Sequence, residues 1–599
     1  MMRFSNRRFW QLLGLLLLVA SVSRLWIVDH RLPDIQITDE NSDLSTALRL
    51  FQGELPPAHY RYHRVLTSNV DLLGVAGLLG YSVLSGRIQS LDDFQELYYR
   101  ERGLFTLATR LMMASLTVVA IALTALAGRF FSNEVGIFAA LMLTLNSFFA
   151  MNSVYALPDT LIIFAMAVLL WLTLRLWHYQ RRRDYMLMGV GLALVMLAKI
   201  SAAPAGIGFL VVHGAIVYRQ TGKHGLQFVR HYVFSLNLWL AALSTLIFNV
   251  VFNPVAFIHL DDLLFEINNL FFHAYARRPP TSWDVRLAAS QAQVLQMVAY
   301  LWRWYLPLTV AGVVVILVRH WRSVAYWAVV LMALATFVPV ALVYSQEYKV
   351  FYWTPFLIPL ALITGIGAAA IWHFALQHKQ YRWLVLIVCV PFVLETLMLA
   401  KISDKMRQPD TRELAYQYVL ANWTPETRVM SGDPQVFSVP FKRNTESIQR
   451  ALRYGAVPLN GWDWWLNLPE TEQPWQTHTL YSFEVRNIIK TSDELRQYLL
   501  DERIEYYITA ELCNDSVPLT DTESPVFFPP DAAQLADMLE EVAVFSPFAV
   551  HECLTELNTR TNLAAPDHLD LQLYTGPLIR IYRVLLPPAV AVSTSDRRY

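Results

Sequence analysis

Residues 9–28 read FWQLLGLLLLVASVSRLWIV, and ten residues further on comes Thr38-Asp39-Glu40. The first stretch is long enough and apolar enough to cross a bilayer as a helix. The second places two adjacent carboxylates just past a membrane boundary, where they are costly unless hydrated, paired or used. The side that the pair faces, and what shares that side, decide the reading of the chain.

The pattern of residues 9–28 recurs. The chain has 599 residues, 55% of them hydrophobic and only 16% charged, and its mean hydropathy is +0.34. Segments of roughly 17–25 mostly apolar residues lie near Phe9–Val28, Leu104–Leu126, Val135–Tyr155, Pro158–His178, Tyr185–Leu197, Ala205–Tyr218, Tyr232–Phe252, Val294–Val318, Val324–Tyr344, Tyr352–Trp372 and Trp383–Leu399. The expected fold class is a polytopic α-helical membrane protein with about eleven transmembrane helices. The fifth and sixth spans are short and meet at 199–204. A further run, Val65–Ser85, carries Asp71 and three glycines; it reads as interfacial or re-entrant.

Basic residues in short loops set the orientation. Arg3, Arg7 and Arg8 place the N-terminus in the cytoplasm. Alternation then puts Arg129, Arg181–Arg183, Arg219 to Arg230, Arg319 with Arg322, and Lys379 with Arg382 on that same side. The expected location is the cell (inner) membrane, with the two large loops, about 29–102 and 253–293, outside the cytoplasm. A cleaved signal peptide is the alternative for the first segment, since residues 20–23 are small or short; the loop after it stays outside either way.

Composition shifts near Lys401. Residues 1–400 read as the transmembrane domain and 401–599 as an extracytoplasmic, soluble α/β domain. In the latter, helices are expected at Arg412–Trp423 and Ser492–Asp501, and strands at Arg428–Ser431, Gln435–Val439, Ile504–Thr509 and Leu578–Leu585. An oxidising compartment would permit a Cys513–Cys553 disulfide. The stretch 462–465, Trp-Asp-Trp-Trp, reads as core or interface before it reads as a sugar platform. Asn422-Trp423-Thr424 fits the N-glycosylation pattern, which has meaning only in a eukaryotic source. Lys plus Arg and Asp plus Glu are 48 each, so no nucleic-acid partner is indicated.

On the outside ends of the spans sit Asp39-Glu40, Asp159, Lys199, Glu347 and Lys349. A carboxylate base can take a proton from an acceptor, and lysines can hold a phosphate leaving group. Plainer readings stand beside these. Asp159 follows Pro158 at a helix start, where a carboxylate suits the exposed amides. The lysines can snorkel to the interface. Asp39-Glu40 can open a helix over Asn41–Phe51.

These residues resemble the pattern of GT-C-type integral-membrane glycosyltransferases, in particular the protein O-mannosyltransferase and aminoarabinose transferase group. Asp39-Glu40 stands where that group has its first-loop acidic motif. Leu157-Pro158-Asp159 resembles an Arg-Pro-Asp element with Leu157 in place of the Arg. Leu197-Ala198-Lys199 resembles a Leu-x-Lys element. The run Glu347 to Pro355 resembles a late charged and aromatic turn, with Lys349 where Arg is frequent. The resemblance covers the layout of roughly residues 1–400.

It implies transfer of a sugar from a polyprenyl-phosphate donor, drawn from the membrane lipid, to an acceptor on the outer face. Asp39 would be the base, with Glu40 and Asp159 positioning it or binding a cation. Lys199 and Lys349, and more weakly Arg61, His63 and Arg64, would bind the donor phosphate. Mg²⁺ or Mn²⁺ is the cofactor such carboxylates suit, though no ligand cluster forces it. The acceptor, whether protein, lipid or glycan, is left open. The rival reading is a multi-pass transporter or lipid flippase; against it, no internal repeat is evident and the charges cluster at span ends.

Overall fold

The computed structural model describes residues 5–32, 38–54, 65–259, 261, 264, 290, 291, 294, 295, 297–343, 350–431, 439–441, 444–453, 479–481, 489, 491–511, 513, 535–555, 557 and 568–586. The chain forms two compact units. One comprises Met1–His30, Asp39–Phe94 and Leu104–Ser403; the other comprises Arg31–Thr38, Gln95–Gly103 and Asp404–Tyr599.

The first unit is helical. Among the described residues, eight helices are long and apolar enough to cross a membrane, and three shorter apolar helices accompany them. The eleven spans of the sequence reading are not reproduced one for one. Arg182–Ala198 has only 17 residues. Val65–Leu84, read as interfacial or re-entrant, is one unbroken helix of 20 residues, which removes the re-entrant option. The run Val294–Val318 is interrupted by a wide turn at Val298–Trp302 before Leu306–Arg319 begins.

The span expected at Val135–Tyr155 is also broken. It forms Asn133–Leu145 and Ser147–Asn152, separated by Asn146, whose side chain caps the second helix through the Phe149 N–H at 2.8 Å. The break frees carbonyls that lipid cannot satisfy. Arg24, buried at the end of the Asn6–Leu25 helix, donates to Leu143 O at 3.2 Å, Thr144 O at 3.1 Å and Ser153 Oγ at 3.2 Å. An arginine thus completes the broken helix from the side.

Thr354–Gln377 forms the centre of this unit, and 89% of its apolar window is buried. It packs on Leu306–Arg319, Asn133–Leu145, Pro158–Tyr179 and Val324–Val343. Glycines permit the closest crossing. A Cβ on Gly367 would lie 1.9 Å from Leu308 O, and one on Gly312 would lie 2.0 Å from Ile363 O. The Thr309 and Thr364 hydroxyls meet at 2.6 Å in the same seam.

The second unit holds a five-stranded sheet, in the order β2-β1-β3-β5-β4. The strands are β1 Arg428–Ser431, β2 Thr479–Tyr481, β3 Tyr506–Glu511, β4 Leu539–Phe545 and β5 Leu578–Val584. β2, β1 and β3 are parallel; β3, β5 and β4 are antiparallel. Side chains alternate between faces. Met430, Tyr481 and Tyr507 pack with Leu495 and Leu499 of the Ser492–Asp501 helix. Val429, Leu480, Ile508 and Ile581 pack with Ala415 and Val419 of Thr411–Asn422. The strand expected at Gln435–Val439 lies almost wholly outside the described residues, as does the 462–465 stretch. Cys513 and Cys553 form a disulfide across 40 residues, a loop whose closure is worth about 4 kcal/mol on the chain-entropy model.

Asp410 anchors this unit. It caps the Thr411–Asn422 helix and is chelated by Arg412 at 2.8 and 2.9 Å, with Arg31 at 3.2 Å. Burial alone would raise its carboxyl, but the Arg412 and Arg31 guanidiniums hold it well below the usual carboxylate range. The unfolded chain therefore takes up a proton more readily than the folded one, and the contribution of Asp410 is complete above about pH 4 and is lost as pH falls below it.

Two outcomes are expected of thermal melts on the whole protein in detergent. Gly367→Ala lowers stability by about 1–3 kcal/mol through overpacking, whereas Gly14→Ala, with open space around it, does not. Asp410→Asn melts lower than the parent at pH 7, by about 3–5 kcal/mol for a broken buried pair, and the gap narrows as pH drops below about 4.

Candidate functional site

The acidic motif lies in the first turn of the helix Thr38–Phe51. The side chain of Asp39 lies outside the described residues. Glu40 is buried. Arg110, on the helix Arg102–Gly128, grips it with two parallel bonds, Nε to Oε1 at 2.9 Å and Nη2 to Oε2 at 2.7 Å. The backbone N–H of Ala156 donates to Oε1 at 2.8 Å.

Arg110 makes further bonds of its own. Its Nη1 donates to Val28 O at 3.1 Å and His30 O at 2.7 Å, and the guanidinium lies 5.0 Å from the centre of the Tyr155 ring. One ion pair thus ties together the end of the first span, the acidic motif, the third long helix and the turn at 155–156. Only arginine can supply this fork of donors.

That turn leads directly into Pro158–Tyr179. Leu157 occupies the N-cap without a side-chain bond, Pro158 opens the helix and Asp159 sits in its first turn. Asp159 Oδ1 pairs with Lys199 Nζ at 2.5 Å. Lys199 ends the helix Arg182–Ala198 in extended conformation, and its ammonium lies 4.8 Å from the centre of the Tyr352 ring. Three segments distant in sequence therefore meet here: 157–159, 197–199 and 352–355.

Among the sequence-derived residues, the structure brings Asp159 and Lys199 together and places Glu40 across the 155–159 turn from them. Arg61, His63, Arg64, Glu347 and Lys349 lie outside the described residues. Sequence reading passed over Arg110, although an arginine in an apolar span is a signal in its own right. It also passed over Asp43, and it noted Asp71 only as a charge in the Val65–Ser85 run; both are fully buried.

The described carboxylates do not fit a divalent cation. Glu40 spends both oxygens on Arg110 and Ala156, and Asp159 is paired with an ammonium. Among the described residues no set of three His, Cys, Asp or Glu side chains converges. Beside the site, Leu73, Gly74, Gly77 and Leu78 face Leu107, Ala108 and Leu111 across an apolar groove of about 450 Å³.

Residues 104–238 match the family described as dolichyl-phosphate-mannose-protein mannosyltransferase. The match supports the GT-C-type resemblance over the stretch that carries Arg110, Asp159 and Lys199. No curated protein sequence gives a significant match. Among solved structures, ArnT from Cupriavidus metallidurans bound to undecaprenyl phosphate aligns over 96% of this chain and 99% of its own, at 13% identity and a TM-score of 0.45. The oligosaccharyltransferase of Archaeoglobus fulgidus in complex with Zn and sulfate aligns over 83% and 68%, at 10% identity and a TM-score of 0.38. At such scores neither likeness bears on the residues discussed below.

The Glu40–Arg110 pair gives this site its first test. Glu40→Gln keeps the size and the Ala156 contact but strands a buried guanidinium. The expected loss of stability is about 3–5 kcal/mol, measured as a lower melting temperature in detergent, and Arg110→Lys is expected to fall in the same direction.

Proposed function

We propose that this protein transfers a sugar from a polyprenyl-phosphate carrier to an acceptor on the extracytoplasmic face of the membrane. The observation that carries the reading is the meeting of the acidic motif, Arg110, the 155–159 turn and Lys199 at one end of the helical unit, with the last three inside the matched segment.

Asp39 is the base that takes the acceptor proton. Glu40, saturated by Arg110 and Ala156, is a positioning residue for the helix that carries Asp39. Lys199 binds the donor phosphate. In the absence of donor its charge rests on Asp159 and the Tyr352 ring. The donor's phosphodiester, a monoanion until the sugar leaves, takes over part of that ammonium. Lys349, Arg61, His63 and Arg64 are further phosphate ligands in this proposal. The apolar groove beside Gly74 lies within the same unit as these residues and suits a hydrocarbon chain.

The outside location rests on the run of basic loops in the sequence and agrees with a disulfide in the second unit, since such bonds persist in oxidising compartments. A donor borne on lipid phosphate suits a site that nucleotide sugars, made in the cytoplasm, do not reach.

The test is sugar transfer by the reconstituted full chain, using synthetic polyprenyl phosphates that carry mannose, glucose, galactose or aminoarabinose and envelope extract as acceptor. Asp39→Asn is expected to reduce turnover about 10²–10⁴-fold, as for loss of a general base. Lys199→Ala is expected to raise the KM for donor as well. Full transfer by Asp39→Asn removes Asp39 from the mechanism. No transfer by the parent from any donor, together with movement of a labelled solute, replaces the whole reading with transport.

A further inference from the structure

The Val65–Leu84 helix carries an unusual turn. Thr67, Ser68 and Asp71 share one face at i, i+1 and i+4, and all three are buried. Among the described residues, the Thr67 hydroxyl, the Ser68 hydroxyl and both carboxylate oxygens of Asp71 have no hydrogen-bond partner. Native interiors rarely leave such groups unmade, and four on one helical turn call for a ligand.

The surroundings restrict what that ligand is. Asp71 lies in the electrostatic field of Asp43 and Glu40 on the Thr38–Phe51 helix. Glu40 is balanced by Arg110. Most of the four open sites on this turn are acceptors, and a phosphate, itself an acceptor, satisfies few of them. A divalent cation needs more ligands than one carboxylate and two hydroxyls supply, and no such set converges among the described residues. What fits is an uncharged or amino-bearing group rich in hydrogen-bond donors. The carboxylate accepts from two of them, and the serine and threonine hydroxyls both donate and accept. The helix packs on Pro158–Tyr179 and Arg182–Ala198, and Asp71 is close enough to Glu40 to feel its charge.

We infer that Thr67, Ser68 and Asp71 form the subsite that binds the hydroxyl or amino groups of the transferred sugar. This rests on the glycosyl-transfer reading above. Asp71 then sets which sugar the protein accepts, because a site built around hydrogen bonds to a ring substituent leaves its own groups unpaired when that substituent is missing.

Two measurements on the full chain in detergent test it. One is binding of bare polyprenyl phosphate and of the same lipid carrying mannose, glucose, galactose or aminoarabinose. The other is the melting temperature without lipid. The parent is expected to bind one sugar-bearing lipid at least about tenfold more tightly than the bare lipid. Asp71→Asn and the double variant Thr67→Val with Ser68→Ala lose that margin, while affinity for the bare lipid stays unchanged.

Without lipid, Asp71→Asn melts at or above the parent temperature, since the acid makes no hydrogen bond among the described residues that the amide would lose. A variant that keeps the sugar margin overturns the inference. So does one that melts lower and loses both lipids equally, which marks Asp71 as a structural residue. A parent that binds the bare lipid but favours no sugar also overturns it, leaving phosphate recognition standing. A parent that binds no lipid at all overturns the glycosyl-transfer reading itself.

Discussion

The Glu40–Arg110 pair is the interaction on which the rest of the helical unit depends. A charge moved from water into a bilayer-embedded core is costly, and a pair recovers that cost only when its geometry is good and further hydrogen bonds support it. Both conditions hold here. The carboxylate receives three N–H groups, and the guanidinium spends its other arm on Val28 and His30 carbonyls. Those carbonyls lie just beyond the first helix, where the intrahelical ladder has ended. The pair therefore does for the turn after the first span what hydrogen bonds within a helix do along its length.

Arg24 solves the same problem at a second place. The helix broken at Asn146 would leave carbonyls exposed to an apolar medium, and a buried guanidinium from the first span takes them. The break is what allows the chain at 147–156 to turn and present the Ala156 N–H to Glu40. Two arginines within apolar segments thus shape the backbone around the site, while the glycine seam at Gly312 and Gly367 fixes the helices behind it.

Much of this architecture was legible in the sequence. The long apolar helices, the second-unit helices at 411–422 and 492–501 and the strands β1, β3 and β5 follow from hydrophobic period and turn residues. The breaks were not legible. Asn146 sits in a mostly apolar run, with only Thr144 and Ser147 as near polar neighbours, and no adjacent glycine or proline announces it. β2 is three residues long, too short for an alternating pattern, and β4 opens with Leu539-Glu540-Glu541, which reads equally as helix. At the site, Asp159 and Lys199 were singled out separately, but that they bind each other depends on how two helices pack. Arg110 stood in plain view as a charge within an apolar run, yet its partner lies 70 residues away.

The acidic motif illustrates why two adjacent carboxylates need not share one role. Glu40 accepts from Arg110 twice and from Ala156 once. Both oxygens of a carboxylate so engaged are turned to its partners. If the motif supplies a base, the role falls to Asp39, and the bonds that hold Glu40 become a way of fixing its neighbour. Asp71 inverts the argument: it is equally buried, but among the described residues no hydrogen-bond donor meets it. Of two buried acids near one site, the satisfied one holds the fold, and the unsatisfied one has the chemistry to meet a substrate.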